Sequence, residues 1–194
     1  MRSLMEEAVA REIAPDLILE HGLRKGLEHV GQKYELGEYF LSELLFAGSL
    51  VDQAMKILGP HLTEQALTEY KGIIVLGTVR GDIHDIGKNI FGMLAQASGF
   101  KLWDVGVDVD PEIFLEKIKE VKPDILALSA LLTTTMGEMK TVIDLLTASV
   151  LRGKVRVILG GNAVNREFGA EIGADAVGLD AVEGVEQCKA WVKA

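Results

Sequence analysis

Asp82 and His84 stand two residues apart in the polar stretch Thr78-Val79-Arg80-Gly81-Asp82-Ile83-His84-Asp85-Ile86-Gly87-Lys88-Asn89. Imidazole is a common transition-metal ligand, and its second nitrogen usually donates to a carboxylate that fixes the tautomer and raises basicity. The pair therefore has the make-up of a metal ligand with its own orienting partner. A lone loop histidine reads as a surface residue, so the weight lies in the whole stretch. His21, His29 and His61 have no carboxylate pattern that would make a metal site, and read as structural or exposed. Cys188 falls in an amphipathic C-terminal segment with Trp191, where packing explains it better than reactivity.

Two further segments carry polar or small residues after an apolar run. In Leu128-Ser129-Ala130-Leu131-Leu132-Thr133-Thr134-Thr135-Met136 the hydroxyls suit a helix cap, with Thr134 or Thr135 in that place. In Leu159-Gly160-Gly161-Asn162-Ala163 the two glycines suit either a tight turn or a close backbone approach to a ligand. Trp103 reads as core or sheet edge, and Asp104, Asp108 and Asp110 as solvated loop acids.

The elements that must position these residues follow from periodicity. Ile73-Ile74-Val75-Leu76 has the length and β-branching of a buried strand, and Ile90, Met93, Leu94 and Ala97 mark one helical face. From residue 71 strands and helices alternate, with strands expected at 72–76, 101–104, 125–129, 155–159 and, weakly, 176–178. Helices are expected at 87–98, 111–121, 135–152, 165–172 and 181–193. This is an α/β pattern. Five such units suit a flavodoxin-like, doubly wound parallel sheet of order 2-1-3-4-5, with a ligand crevice beyond the carboxyl ends of strands one and three.

Residues 1–68 read as helical with no strand signal. Pro15 and Asp16 open a segment whose Leu17, Leu19, Leu23, Leu27, Val30 and Tyr34 follow a helical stripe to a stop near Gly37. Another segment runs from about Phe40 to Leu58 and ends at Gly59-Pro60. The expected organisation is a helical bundle at 1–68 and an α/β domain at 69–194, joined by an ordered linker at 60–70. By itself the bundle reads as a packing or dimerisation module.

At 194 residues and 48% apolar content the chain can build a core of ordinary size. A net charge of −9 without a basic stripe argues against nucleic acid. The single cysteine excludes an internal disulfide and fits a reducing cytoplasm. Glu6 and Glu7 leave no readable signal peptide, and no apolar run approaches the ~18 residues of a membrane span.

Asp82-x-His84-x-x-Gly87 matches the DxHxxG signature of cobalamin-binding domains, and residues 81–89 match its fuller form. The chain resembles the corrinoid proteins of methanol, methylamine and methoxy-compound methyltransferase systems, and is similar to the cobalamin module of methionine synthase. Residues 30–44, VGQKYELGEYFLSEL, look like the helical cap that precedes the cobalamin domain in that family, with Ser42 where a proline is usual. The region before Ala14 looks shorter than the family's first helices.

The resemblance implies cobalamin as cofactor, cycling between cob(I)alamin and methylcobalamin. His84 would displace the nucleotide base and ligate cobalt, with Asp82 accepting its other N–H. Gly81, Ile83, Asp85, Ile86 and Gly87 would shape that loop. Ser129, Leu131, Thr133 and Met136 would line the channel for the nucleotide tail, with Ser129 and Thr133 against the dimethylbenzimidazole. Thr135 falls where methionine synthase has a serine that extends the His–Asp pair into a triad. Gly160, Gly161 and Asn162 would contact the tail, with Gly178 and Ala181 closing the pocket. Phe40, Leu44 and Leu45 are the candidates for the cap's contact with the corrin.

The implied function is methyl carriage, with no catalysis by the chain alone. A substrate-specific methyltransferase would deliver the methyl group, and a second would pass it to tetrahydrofolate or coenzyme M. A reductive-activation protein is a further expected partner, whereas nucleic acid and membrane are not. Three rivals share the topology. A mutase subunit using adenosylcobalamin normally lacks the cap. A cobalamin-dependent regulator would need an output module that is not visible. A phospho-accepting receiver would need acids where Gly77-Thr78 and Ser129 stand.

Overall fold

The structure is a computed structural model that describes residues 2–62 and 70–192. The chain divides into two compact units, Met1–Tyr70 with Ala97–Gly99, and Lys71–Gln96 with Phe100–Ala194. Most of the expected linker, residues 63–69, lies outside the described residues.

The described part of the first unit is built from helices. Helix α1 spans Arg2–Ala10. Helix α2 runs without a break through Pro15–Leu17, a π-helical stretch Ile18–Arg24, and Lys25–Glu35. Pro15 occupies the first turn, where its missing N–H costs nothing. After Leu36, Gly37 takes φ +72°, the left-handed conformation that ends helices. Helix α3, Leu41–Leu58, begins with the Glu43 carboxylate accepting the Phe40 amide at 3.0 Å. Met5, Ile18, Leu19, Leu23, Ala54 and Leu58 form one buried apolar cluster. Leu17, expected on the buried stripe, is exposed and Ile18 takes its place. Two residues before Leu19, Leu17 falls about 200° around the helix from it, on the opposite face, while Leu19, Leu23 and Leu27 are buried as expected.

In the second unit, strand β1 spans Ile73–Thr78, two residues longer than expected at its carboxyl end. It is followed by α4 (Ile86–Ala97), β2 (Lys101–Asp104) and α5 (Pro111–Val121). Then come β3 (Ile125–Ser129), α6 (Met136–Ala148) and β4 (Arg156–Gly160). The chain closes with α7 (Arg166–Glu171), β5 (Ala176–Val177) and α8 (Ala181–Val192). Helix α6 stops short of the expected residue 152. The chain turns left-handed at Val150 (φ +57°) and then makes a 3-10 turn at Arg152–Lys154.

The five strands are all parallel, in the order β2-β1-β3-β4-β5. This is the expected doubly wound, flavodoxin-like arrangement. One core cluster includes Val75, Phe114, Leu126, Leu128, Met139, Leu146, Val157 and Leu159, all almost wholly buried. The register pairs Thr78 with Ser129 and Ser129 with Gly160. Strands β1, β3 and β4 therefore end level, and the loops that leave them start side by side.

Candidate functional site

Asp82 is the hub of the loop between β1 and α4. It is completely buried although it carries a carboxylate. One oxygen, Oδ1, lies 2.7 Å from His84 Nδ1 and accepts the His84 amide at 3.0 Å. The other, Oδ2, accepts the amides of Leu131 at 2.7 Å and Leu132 at 3.2 Å, and lies 3.0 Å from the Thr135 hydroxyl. Burial by itself would raise this carboxyl's pKa. The hydrogen bonds from the His84 amide and ring and from the Leu131 and Leu132 amides outweigh it and hold Asp82 far below the usual carboxylate range. Asp82 is thus a fixed buried anion, compensated by donors from two loops.

An ionised Asp82 next to Nδ1 selects the tautomer of His84. Nδ1 carries the proton and donates it, so Nε2 carries the lone pair. The imidazole is about half exposed, and Nε2 has no hydrogen-bond partner among the described residues. Backbone bonds fix the rest of the loop. Asp82 N donates to Val79 O at 3.2 Å, Gly81 N to Asp108 Oδ1 at 2.7 Å, and Asp108 N to Asp82 O at 2.9 Å. Gly81 takes φ +80°, which a side chain there would strain. The buried Thr78 hydroxyl donates to His84 O at 3.0 Å.

The loop after β3 meets this one through Asp82. Thr135 stands at the N-terminal boundary of α6 but makes no side-chain cap. Its hydroxyl faces Asp82 Oδ2 and Leu132 O, at 3.0 and 2.9 Å. The expected cap is therefore replaced by the triad-like contact, because Asp82 reaches under the loop. The loop after β4 packs against the same segment. Gly161 takes φ +116°, and a Cβ there would fall 1.9 Å from Ala130 O. The tight-turn reading of the glycine pair holds at Gly161, which is pressed on the Ala130 backbone.

The sequence-expected residues separate into two sets. Asp82, His84, Leu131 and Thr135 are joined by direct bonds, and Ser129 by its ladder position between Thr78 and Gly160. Ile83, Ile86 and Leu131 are large apolar side chains left exposed, as are Leu132 and Leu179. Asp85, Gly87, Thr133 and Asn162 are exposed too, whereas Gly178 is buried and Gly160, Ala181 and Met136 are partly so. None of these makes a side-chain bond to Asp82 or His84. In the helical unit Phe40 and Leu45 are exposed and Leu44 is completely buried.

Sequence reasoning passed over Thr78, Lys88 and Leu132, which bond within or beside the loop. It also read Asp104, Asp108 and Asp110 as solvated. All three are exposed, as expected, and each also has a partner: Asp104 with Lys88, Asp108 with the Gly81 amide, and Asp110 with Arg80 at 3.4 Å. They sit at the end of β2 and beyond it, the strand beside β1, which a linear reading does not bring to the loop. Cys188 is completely buried, as packing requires.

The B12 binding domain family matches residues 72–188, and a second B12 binding domain family matches residues 1–58. The chain belongs to the B12-binding corrinoid proteins. Trimethylamine corrinoid protein 2 of Methanosarcina acetivorans is 38% identical over 96% of this chain and 87% of its own length. A crystal structure of a cobalamin-binding protein from Desulfitobacterium hafniense is 39% identical, with TM-score 0.70 over 98% of this chain and 90% of that one. The methanol:cobalamin methyltransferase complex of Methanosarcina barkeri reaches TM-score 0.85 at 30% identity, over 92% of this chain and 67% of that one.

Cobalamin is the cofactor of this corrinoid protein, and the residues present fit it. A transition metal needs an imidazole nitrogen that faces away from the orienting carboxylate, and the Asp82 contact at Nδ1 leaves Nε2 in that place. The exposed Ile83, Ile86, Leu131, Leu132 and Leu179 supply the apolar surface that a large macrocycle requires.

Proposed function

We propose that the protein is the methyl carrier of a methyltransferase system, in which His84 Nε2 would hold the cobalt of bound cobalamin. Bound cobalamin supplies a metal centre that accepts a methyl group from one partner and gives it to another. The chain supplies the ligand, its orientation and its electrostatics. Asp82 holds the His84 proton on Nδ1, and the Leu131 and Leu132 amides with the Thr135 hydroxyl keep Asp82 ionised while it does so. Ser129, Gly160 and Gly161 are assigned to the nucleotide tail, and Ile83, Ile86 and Leu131 to the underside of the corrin. Phe40 and Leu45 have side-chain surface for the cap contact, and Leu44 has none.

The partners on this reading are a substrate-specific corrinoid methyltransferase, a second methyltransferase using tetrahydrofolate or coenzyme M, and a reductive-activation protein. The setting is the cytoplasm, and among the described residues no helix is long and apolar enough to cross a membrane. The observation that carries the proposal is a fully buried Asp82 that orients a half-exposed His84, whose Nε2 has no partner among the described residues.

The test is reconstitution with hydroxocobalamin, beside a His84→Ala variant. The parent is expected to retain corrinoid with a base-off, histidine-ligated visible spectrum, and the variant to lose or alter it. If neither protein retains corrinoid, the ligation reading is wrong.

A further inference from the structure

Lys88 is a buried cation that the proposed ligation does not use. Its side chain is 3% exposed, on the first turn of α4, and its ammonium is paired with the Asp104 carboxylate at the end of β2. A buried lysine is costly to desolvate, and it is kept charged only by a close partner. The bonds that leave this pair run in two directions and end at the His84 carbonyl and at Asp85.

On one side, Lys88 Nζ donates to Asn89 Oδ1 at 3.0 Å. Asn89 in turn donates to Asp85, from Nδ2 to Oδ2 at 3.1 Å and from its amide to the carbonyl at 2.7 Å. On the other side, Asp104 Oδ1 accepts the Gly106 amide at 2.9 Å, and Gly106 O accepts Thr78 N at 3.0 Å. Thr78 then donates its hydroxyl to His84 O at 3.0 Å. None of these bonds involves Asp82. His84 is therefore gripped twice, by Asp82 at its ring and amide and by a circuit through Asp104 and Lys88 at its carbonyl and at the next residue.

We propose that the Lys88–Asp104 pair is a second positioning device for the metal ligand, fixing the His84 backbone so that Nε2 reaches the metal. Orientation of the imidazole and placement of the backbone that carries it are separate requirements: Asp82 orients the ring and holds the His84 amide, and the circuit through the pair holds the carbonyl side. A ligand atom displaced by a fraction of an ångström forms a weaker bond even with the correct tautomer. The inference rests on His84 being the axial ligand.

The experiment compares Lys88→Met, Asp104→Asn and the double variant with the parent, all as full chains at one neutral pH and saturating hydroxocobalamin. The visible spectrum gives the ratio of histidine-ligated to unligated corrinoid. After reduction, the nitrogen splitting in the cob(II)alamin electron paramagnetic resonance signal reads the same bond. Circular dichroism checks folding of the apoproteins. The expected result is at least a fivefold fall in the ligated-to-unligated ratio for each single variant, with the double variant no worse than the more affected single.

A parental ratio in both single variants would overturn the proposal, whatever their thermal stability. So would a folded variant that no longer loads corrinoid, because the pair would then govern binding and not ligation. If Lys88→Met does not fold, Asp104→Asn, which keeps the size of the side chain, decides by the same ratio. A parent whose spectrum matches that of His84→Ala would refute the ligation reading itself. A parent that differs from His84→Ala but matches Lys88→Met and Asp104→Asn would refute only this inference.

Discussion

The two units bury different things. In the helical unit the interior is a set of apolar side chains, Met5, Ile18, Leu19, Leu23, Ala54 and Leu58 among them. Its polar groups pair at the surface, as Arg11 and Glu7 do at 2.5 Å, four residues apart on α1 and its first following turn. In the α/β unit the core is also apolar, but Thr78, Asp82, Lys88 and Thr135 are buried within it. All four belong to the two bond networks around His84. Burying such groups costs free energy unless each finds a partner, so their confinement to one loop cluster marks where stability is given up for geometry. The helical unit is specified by volume and pattern, and the site by individual atoms.

The comparison can be broken most sharply at Gly161. Gly161→Ala would drive a Cβ onto Ala130 O at a left-handed φ, and we expect a loss of about 4 kcal/mol or more. Both tryptophans, Trp103 and Trp191, lie in the α/β unit, so urea denaturation followed by their fluorescence reads that unit selectively. In the helical unit the corresponding effect requires an apolar truncation. Leu58→Ala is expected to cost about 3 kcal/mol by leaving a cavity, seen as a shift in far-ultraviolet circular dichroism.

Asp82→Asn comes next, at about 2 kcal/mol, since the amide cannot accept from all the donors that face Asp82. It should also change the pH dependence. The Asp82 pKa is depressed in the folded state, so protons bind the unfolded chain first. Its contribution is present above the ordinary carboxylate pKa of about 3.9 and is lost as pH falls through the folded value. The parent's stability should therefore fall on acidification more steeply than that of Asp82→Asn, measured by urea titrations between pH 3 and 6.

At the alkaline end the sign reverses. Burial pushes the Cys188 thiol up to about 12, so the unfolded chain releases its proton first as pH rises past the ordinary thiol value of about 8.5. Stability is lost in that window, and the folded apoprotein should resist iodoacetamide at pH 8 until denatured. A Cys188 that reacts at the rate of a free thiol would contradict its burial. The smallest effect belongs to the helical surface: Arg11→Ala should change stability by no more than about 0.5 kcal/mol. A larger value would show that polar contacts specify this unit too.

The sequence by itself determined the fold class, because the strand and helix periods and the level of apolar content are local properties. It placed all five strands to within about two residues of their ends, and the stop of α2 at Gly37. It named Asp82, His84 and Thr135 through a motif and a resemblance. It put Leu17 on the buried stripe of α2, although at about 100° per residue Leu17 falls on the face opposite Leu19 and Leu23. It read Asp104 and Asp108 as solvated acids, which they are, but named no partner for either, because nothing local to either residue does. Only the parallel register decided those matters. It set β2 beside β1 and β3 on the other side, bringing Asp104 to Lys88 across 16 residues and Thr135 to Asp82 across 53. A carboxylate can be buried and ionised only where donors distant in sequence converge, and convergence is a property of the sheet order, not of the motif.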